Sequence, residues 1–472
     1  MATSGAPGSS SPSVPADRTP RQGDPTGQAP ARVPHGYWRA WFGAQLESPL
    51  TSYYLILGAT SALVVIGLVM VLSSSSVVSL QDTHSAYSVF MKQAMFAGLG
   101  LPLTVLAVRT PVRVWKALAW PVLVVSILAM MLVLTPLGRG VNGNRNWLVI
   151  GSIQIQPSEA AKLALVIWAA AVLSRKRALL SDLSHALVPV VVPGAVLLLG
   201  LILLGHDLGT ALVLLVVVAA LLWVAGAPLR LFLGAGALSA AVVSLLVVTS
   251  TSRLTRVDAW LTGKCDFQGT CWQSTHGLWA LASGGWWGVG LGASREKWSW
   301  LPEAHNDYIF AIIGEELGLV GTLAVIGLFA LLAFGLARVV IRSDDPFVKI
   351  ATGGVLVWVL GQALLNIGTV TGILPVIGVP LPLVSSGGSA LVTTMVALGM
   401  VIGFARREPG AAVALAARPG VVRRSLAVVP ARVAGASRAW RAQGTGGDVE
   451  GVPGAAGGWF RRVRGAFQRE SQ

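Results

Sequence analysis

Charge is what this sequence has least of. Only 12% of its 472 residues are Asp, Glu, Lys or Arg, against 54% hydrophobic ones, and the mean hydropathy is +0.70. So little charge excludes an ordinary soluble protein and points to a polytopic membrane protein. Acidic residues are the scarcer sign, 20 against 35 basic ones, for a net charge of +15. That excess does not indicate a nucleic-acid binder, because Lys and Arg gather in the tails and between apolar runs, as the positive-inside rule expects. Cysteine is nearly missing as well: Cys265 and Cys271 are the only two. Two thiols are too few for a zinc site, and His206 has no partner at metal-ligand spacing, so no metal site is assigned. Outside the cytoplasm a thiol pair tends to be oxidised. The short, glycine-containing segment between these two can close a bridge, so a disulfide is expected. The first 48 or so residues lack the apolar core of a cleavable signal peptide. Rich in Pro, Gly, Ser and Ala, they are expected to form a disordered tail.

What the chain does have is apolar length. A membrane helix needs about 20 mostly apolar residues, and about ten such runs are present. They cover approximately Tyr53–Leu72, Phe90–Val108, Ala117–Pro136, Ser158 to just before Arg175, Leu187–Leu204, Thr210–Ala225, Leu231–Thr249, Asp307–Val340, Ile350–Ile367 and Ser389–Phe404. The start of the eighth is the least defined, since Gly318 and Gly321 interrupt it. The expected fold is all-α, a membrane protein of about ten helices. Basic residues between alternate runs (Arg109, Arg113 and Lys116; Arg175 to Arg177; Arg230; Arg338, Arg342 and Lys349; Arg406 and Arg407) place those loops and both termini in the cytoplasm. The expected organisation is a disordered cytoplasmic tail over 1–48, a membrane domain over 49–407 with a large outer loop at about 250–306, and a basic, disordered cytoplasmic tail over 408–472 lying near anionic lipid.

The polar residues that remain concentrate in the outer loops. The densest stretch, Trp298–Gly321, holds Glu303, His305, Asp307, Glu315 and Glu316 and runs from a Gly/Trp-rich loop into an apolar helix. A carboxylate at the mouth of a membrane helix is costly to desolvate unless something uses it or pairs with it. In Gln154–Lys162, Pro157 and Ser158 are helix-start residues. Glu159 and Lys162 are three apart and share one helix face. They form either a mutually neutralising pair or part of a polar cavity. Arg145 suits a phosphate, or is a solvated loop arginine. Asp207, in the turn Gly205–Thr210, can cap the next helix. Gly284–Gly292 has glycine spacings seen in nucleotide loops, but no strand precedes it and it lies on the outer side, so nucleotide is rejected. Its tryptophans suit the lipid interface. Gly387 and Gly388, before the tenth run, either expose amides to an anion or allow close helix packing.

Together these stretches resemble the SEDS family (shape, elongation, division and sporulation). The matching pieces are Asn146-Trp147-Leu148 with Gln156-Pro157-Ser158-Glu159 and Lys162; Asp207-Leu208-Gly209-Thr210; the glycines from Gly284 to Gly292; Leu301 to Ala311 with Glu315-Glu316-Leu317-Gly318; and Pro380 to Ser385 with Gly387-Gly388-Ser389. The resemblance covers roughly Tyr53–Arg407. It implies a peptidoglycan glycosyltransferase that joins lipid II into β-1,4 glycan strands on the outer face of the plasma membrane, with undecaprenyl diphosphate leaving. The family's catalytic aspartate falls on Asp307, its charged pair on Glu159 and Lys162, and its outer-loop arginine on Arg145. Lys297, His305, Ser385, Gly387 and Gly388 join the expected substrate-binding set. The wording at Ala304 and Leu381-Pro382-Leu383 favours the division branch at the septum. The implied partners are a class B penicillin-binding protein transpeptidase and other division proteins. Departures are Trp272-Gln273 where the family often has Tyr-Gln, Ser386 where it has Tyr, and the cysteine-flanked loop.

The residues fit that chemistry. Attack by a sugar hydroxyl needs a base, and Asp307 at a water–lipid boundary would have its pKa raised by partial desolvation. The leaving diphosphate needs cations or amides; Arg145, Lys162, Lys297 and the amides near Gly387 are the candidates. No cofactor is required; the diphosphate could recruit a divalent cation, though no carboxylate cluster demands one. Glu315 and Glu316, about 12 Å further along the helix, are expected to structure it or to contact the cytoplasmic half of the cavity rather than the same sugar. The rivals are a lipid II flippase, which needs a hydrophilic path through both leaflets, and a division scaffold in which Asp307 is structural.

Overall fold

The computed structural model describes residues 48, 50–141, 144–151, 153–264, 266–269, 271–411 and 414. Contacts divide the chain at Ala411, and every residue discussed below lies in the first unit. The expected tails fall outside the described residues except for Ser48, residues 408–411 and Ala414.

Among the described residues ten helical spans, the fifth of them (Leu183–Leu204) interrupted, are long and apolar enough to cross a membrane, the number that the apolar runs predict. In chain order the elements are α1 (Thr51–Thr83), α2 (Ser88–Arg109), α3 (Val112–Val133), strands β1 (Gly138–Val141), β2 (Asn144–Ile150) and β3 (Ile153–Ile155), α4 (Pro157–Lys176), the short α5 (Leu183–Leu187) and α6 (Val196–Leu204), α7 (Leu208–Ala225), α8 (Leu229–Val248), α9 (Thr251–Thr262), α10 (Trp272–Gly284), α11 (Ile309–Arg342), α12 (Pro346–Val370) and α13 (Gly388–Ala405). Helix α4 is the centre of the bundle: most of its side chains, from Pro157 to Leu173, are buried, and α3, α7, α12 and α13 pack around it. The other apolar spans leave more of their surface uncovered than α4 does.

Local chemistry sets the ends. Pro157 opens α4 and Pro346 opens α12 at positions whose N–H would be unpaired anyway. Asp207 accepts from Thr210 N at 2.9 Å and so caps α7. Pro189 and Pro193 interrupt the fifth apolar run, leaving Val192 non-helical between α5 and α6.

Two outer segments are more ordered than their composition indicates. The loop before α4 folds as an antiparallel meander, β1-β2-β3, with β2 in the middle. The loop 250–306 contains α9 and α10. Cys271 is disulfide-bonded; Cys265, the only other cysteine in the sequence, lies outside the described residues, as do Asn142 and Gly143.

The glycine-rich stretch supports a break in α11. Gly318 there has φ 68° and ψ −165°, which frees backbone groups on both sides. Residues 285–290 satisfy them: Val289 N and Gly290 N donate to the carbonyls of Glu315 and Glu316, and Leu319 N and Val320 N donate to Gly285 O and Trp286 O. The approach is close enough that a Cβ at Gly288 would stand 2.2 Å from Glu316 O. Inside a membrane such pairing is obligatory, and only glycine permits it. Trp286 and Trp287, at 70% and 81% exposure, project outward at this level.

At the other end of the bundle the basic loops come together. Lys116 pairs with Asp345 at 2.9 Å and Arg342 with the buried Glu408 at 3.3 Å. Arg407 donates to Thr110 O and Arg109 O, and Arg338 to Ser48 O and Ser52 Oγ.

Candidate active site

A polar cavity of about 1010 Å³, counting its opening to solvent, lies where β2, α4, α7, α12 and the segments 303–307 and 378–390 meet. Four carboxylates reach it, from Glu159, Asp207, Glu303 and Asp307, with a single lysine, Lys162. Asp307 stands just before α11, whose first helical residue is Ile309, two later than the apolar run suggests.

Asp307 retains access to the cavity but lies deep below the outer surface, and burial raises its carboxyl from the ordinary 3.8 to about 7. The negative charges of Glu303 and Asp207 push the same way, while Arg256 on α9 opposes them. Gly378, at φ 77°, brings backbone against the carboxylate: a Cβ there would be 3.4 Å from Asp307 Oδ2. Glu303 and Leu383, in the two loops that enclose the site, hold φ of 55° and 66°, strained conformations for residues with a side chain. Burial also raises the Tyr308 phenol above its ordinary range and lowers His305 below 6.5, so both are neutral at pH 7.

Helix α12 fixes the position of this carboxylate. Asn366 Nδ2 donates to Asp307 O and to Val379 O, both at 2.7 Å. One turn back, Gln362 Nε2 donates to Pro380 O at 3.0 Å. Gln362 Oε1 accepts from Lys162 Nζ at 3.0 Å and from Trp358 Nε1 at 3.1 Å. Lys162 in turn pairs with Glu159 at 2.9 Å, both nearly fully buried. The other Glu159 oxygen, Oε2, is buried without a hydrogen-bond partner. Asp207 Oδ2 gathers Asn146 at 3.0 Å, Gln156 at 3.3 Å and Thr210 Oγ1 at 2.7 Å, which ties the meander to α7.

Comparison with known proteins shows the family. A family profile described as "Cell cycle protein" (FtsW, RodA, SpoVE) matches residues 53–409. The chain belongs to this family. The probable peptidoglycan glycosyltransferase FtsW of Mycobacterium tuberculosis is 42% identical over 402 residues, 84% of this chain and 76% of that protein. The like-named protein of Legionella pneumophila is 34% identical over 366 residues, 76% of this chain and 92% of its own. Among solved structures, a chain of a peptidoglycan synthase complex, described as coordinating polymerization and crosslinking, is 28% identical with TM-score 0.61, covering 74% of this chain and 96% of that one. Thermus thermophilus rod shape determining protein RodA, also 28% identical, has TM-score 0.53 and covers 75% and 97%.

In this SEDS-family chain the cavity collects some of the expected residues and not others. Asp307, Glu159, Lys162 and Gly387 line it. Arg145 borders a neighbouring crevice of about 10 Å³, room for about one water, shared with Asn146, Ser158 and Asp207, and donates to Thr135 O at 2.6 Å. Lys297 is elsewhere: it is buried, pairs with Glu316 at 3.2 Å and donates to Gly292 O at 2.7 Å. Glu315 accepts from Ser294 Oγ and from Arg295 N, so the two glutamates hold the helix break together. Ser385 joins loops, accepting from Leu381 N and donating to Asn306 O. His305 offers its carbonyl to Ser386 N. The Gly387 amide is taken by Gln93 Oε1 at 3.1 Å, and a Cβ on Gly388 would collide with Phe96, so packing accounts for Gly388.

Sequence reasoning missed Gln362 and Asn366. Two amides one turn apart in an otherwise apolar span were the available signal, because polar side chains within membrane helices find partners across them. Among the described residues no group of three His, Cys, Asp or Glu side chains could hold a metal ion.

Proposed function

We propose that this chain is a peptidoglycan glycosyltransferase that polymerises lipid II into β-1,4 glycan strands on the outer face of the plasma membrane. Asp307 acts as general base, removing the proton of the acceptor sugar hydroxyl as it attacks the anomeric carbon and undecaprenyl diphosphate leaves. One inverting displacement suffices, and no covalent intermediate is needed.

The observation that carries this reading is the Asp307 carboxyl, raised to about 7 at the edge of a polar cavity. A base works best with a pKa near the operating pH. Lys162 is the cation that faces the departing diphosphate, and its partners Glu159 and Gln362 hold it in place. Arg145, at the adjoining pocket, guides the approaching anion. A divalent cation, if one is used, arrives with the diphosphate. The polymerase reading is favoured over a flippase by where polarity stops. Beyond Lys162, α4 continues as Leu163 to Leu173 with no charged residue, so the cavity has no polar continuation along its central helix.

The basic loops and both termini lie in the cytoplasm in this proposal, and the cavity opens outward. The relatives' names favour division and hence the septum. The synthase-complex likeness favours a class B penicillin-binding protein as the crosslinking partner, with other division proteins around it.

The test is lipid II polymerisation by purified protein, with and without its cognate transpeptidase. Asp307→Ala, folded as judged by its thermal transition, is expected to lose more than about 99% of the rate, as loss of a general base predicts. Unchanged strands from that variant would move the base elsewhere. Lipid II translocation in liposomes without any strands would replace the polymerase by a flippase.

A further inference from the structure

Two cavities meet at Gln362. The polar cavity that holds Asp307 shares Val213 and Gln362 with a second, open one, of about 500 Å³ counting its opening, between α7, α12 and Leu374. Apart from Gln362, the second is walled by aliphatic side chains and Gly361. Both side-chain ends of Gln362 are already hydrogen-bonded, to Lys162 and Trp358 at Oε1 and to Pro380 at Nε2, so it presents no unmet polar group to this wall. The rim is open. Leu364 is 67% exposed and Val216 43%, and a Cβ at Gly361 would meet nothing within 4 Å. Apart from Leu374, in the loop after α12, the lining belongs to two helices long and apolar enough to span a membrane, so in a bilayer the rim meets hydrocarbon. From Val357 to Leu365 the groove follows α12 for about 12 Å.

We infer that this groove holds the phosphate-proximal part of the isoprenoid chain of the lipid-linked substrate, while its diphosphate and sugars occupy the polar cavity. The inference rests on the function proposed above and adds which helices receive the lipid. A lipid-linked sugar changes from anion to hydrocarbon across one bond. Its site therefore needs a polar chamber and an apolar channel with a common wall. The Val213–Gln362 wall has that form, with Lys162 on its polar side and Gly361 on its apolar side. Surrounding lipid is as apolar as the groove, so entering it brings little hydrophobic gain. The contribution is steric: the groove leaves the chain a path outward while the headgroup stays beside Asp307. Obstruction should therefore matter more than any polishing of its surface.

Gly361→Phe places a ring in open space and should leave the fold intact, with Val125→Phe on the exposed face of α3 as the control. Polymerisation is measured with lipid II carrying its full isoprenoid chain and with an analogue whose chain is cut to a few carbons. Gly361→Phe is expected to raise KM for the long-chain substrate about tenfold, equivalent to ~1.4 kcal/mol. It should leave kcat/KM for the short-chain analogue unchanged, and Val125→Phe should alter neither. Equal loss on both substrates, or loss on neither, overturns the assignment. A second readout does not depend on turnover. Isoprenoid diphosphate bearing a diazirine near its phosphate end is photolysed with the full chain in proteoliposomes. Labelling of residues 213–216 and 357–365, competed by unlabelled isoprenoid diphosphate, is the expected result. Labelling spread over all lipid-facing helices, or competed equally by excess phosphatidylglycerol, gives the groove to bulk lipid and overturns the inference. Specific labelling without polymer would refute the enzymatic reading alone.

Discussion

At the scale of single residues, the chemistry depends on how charge is distributed around Asp307. The base must be ionised to accept a proton, so the rate should follow its titration upward. With a carboxyl at about 7, polymerisation at pH 6 should run at about one-tenth of its alkaline plateau, whereas an ordinary carboxylate would be fully active there. Two neighbours give tests of opposite sign. Glu303 raises the Asp307 carboxyl and Arg256 lowers it. Glu303→Gln should therefore move the acidic limb of the pH–rate profile to lower pH, and Arg256→Gln should move it to higher pH. Profiles of initial rate between pH 5 and 9 decide the point: limbs that stay fixed in both variants would mean that some other group sets the limb. Neither neighbour's influence is legible in the sequence. Glu303 is only four residues from Asp307, but Arg256 comes from α9, which composition alone presents as loop.

At the scale of elements, α12 acts as a ladder of side-chain donors. Gln362, Asn366 and Thr369 donate to Pro380 O, Val379 O and Pro375 O, so one helix face holds the extended segment 375–380 as a neighbouring strand would. Asn366 alone also reaches Asp307 O. Asn366→Leu keeps the branched shape but removes the donor to the buried Val379 carbonyl and the part-buried Asp307 carbonyl, at up to about 1–3 kcal/mol each. Displacing a catalytic group by about 1 Å can cost roughly 100-fold in rate. The expected outcome is a kcat lower by about that factor with KM little changed, and an acidic limb at lower pH as water reaches the carboxylate. Thr369→Val, which loosens the same segment without touching Asp307, should leave the limb in place. A variant with a depressed melting temperature but unaltered kcat and limb would make Asn366 a packing residue only. The helices themselves were readable because a membrane span is set by length and apolarity, and each of the ten runs falls on a helical span, the fifth broken at its prolines. The meander was not, because Asn144–Ile150 is short and its alternation is weak. The break at Gly318 was visible as a glycine, but the segment 285–290 that repairs it is a tertiary feature.

At the scale of the molecule, the loops richest in Lys and Arg end up bonded to one another, and the chemistry-bearing loops form the opposite end. Sequence alone put the basic loops on one side through a statistical bias. The contacts supply an independent reason, since Lys116–Asp345, Arg342–Glu408 and Arg407–Thr110 join loops far apart in the chain. Lys297, a candidate cation in the sequence, stands away from the cavity and meets Glu316, because a charge in an outer loop can turn inward to meet a buried carboxylate as readily as outward to meet a ligand. Membrane orientation is then a matter for direct labelling. Cys271 is disulfide-bonded and does not compete for maleimide, so a single added cysteine reports its own side. In intact cells, Gln268→Cys, on the exposed loop beside α10, should react with a membrane-impermeant maleimide. Arg113→Cys, at the start of α3, should react only after the cells are opened. Labelling of Arg113→Cys in intact cells would invert the protein, turn the cavity toward the cytoplasm and remove the basis for polymerisation on the outer face.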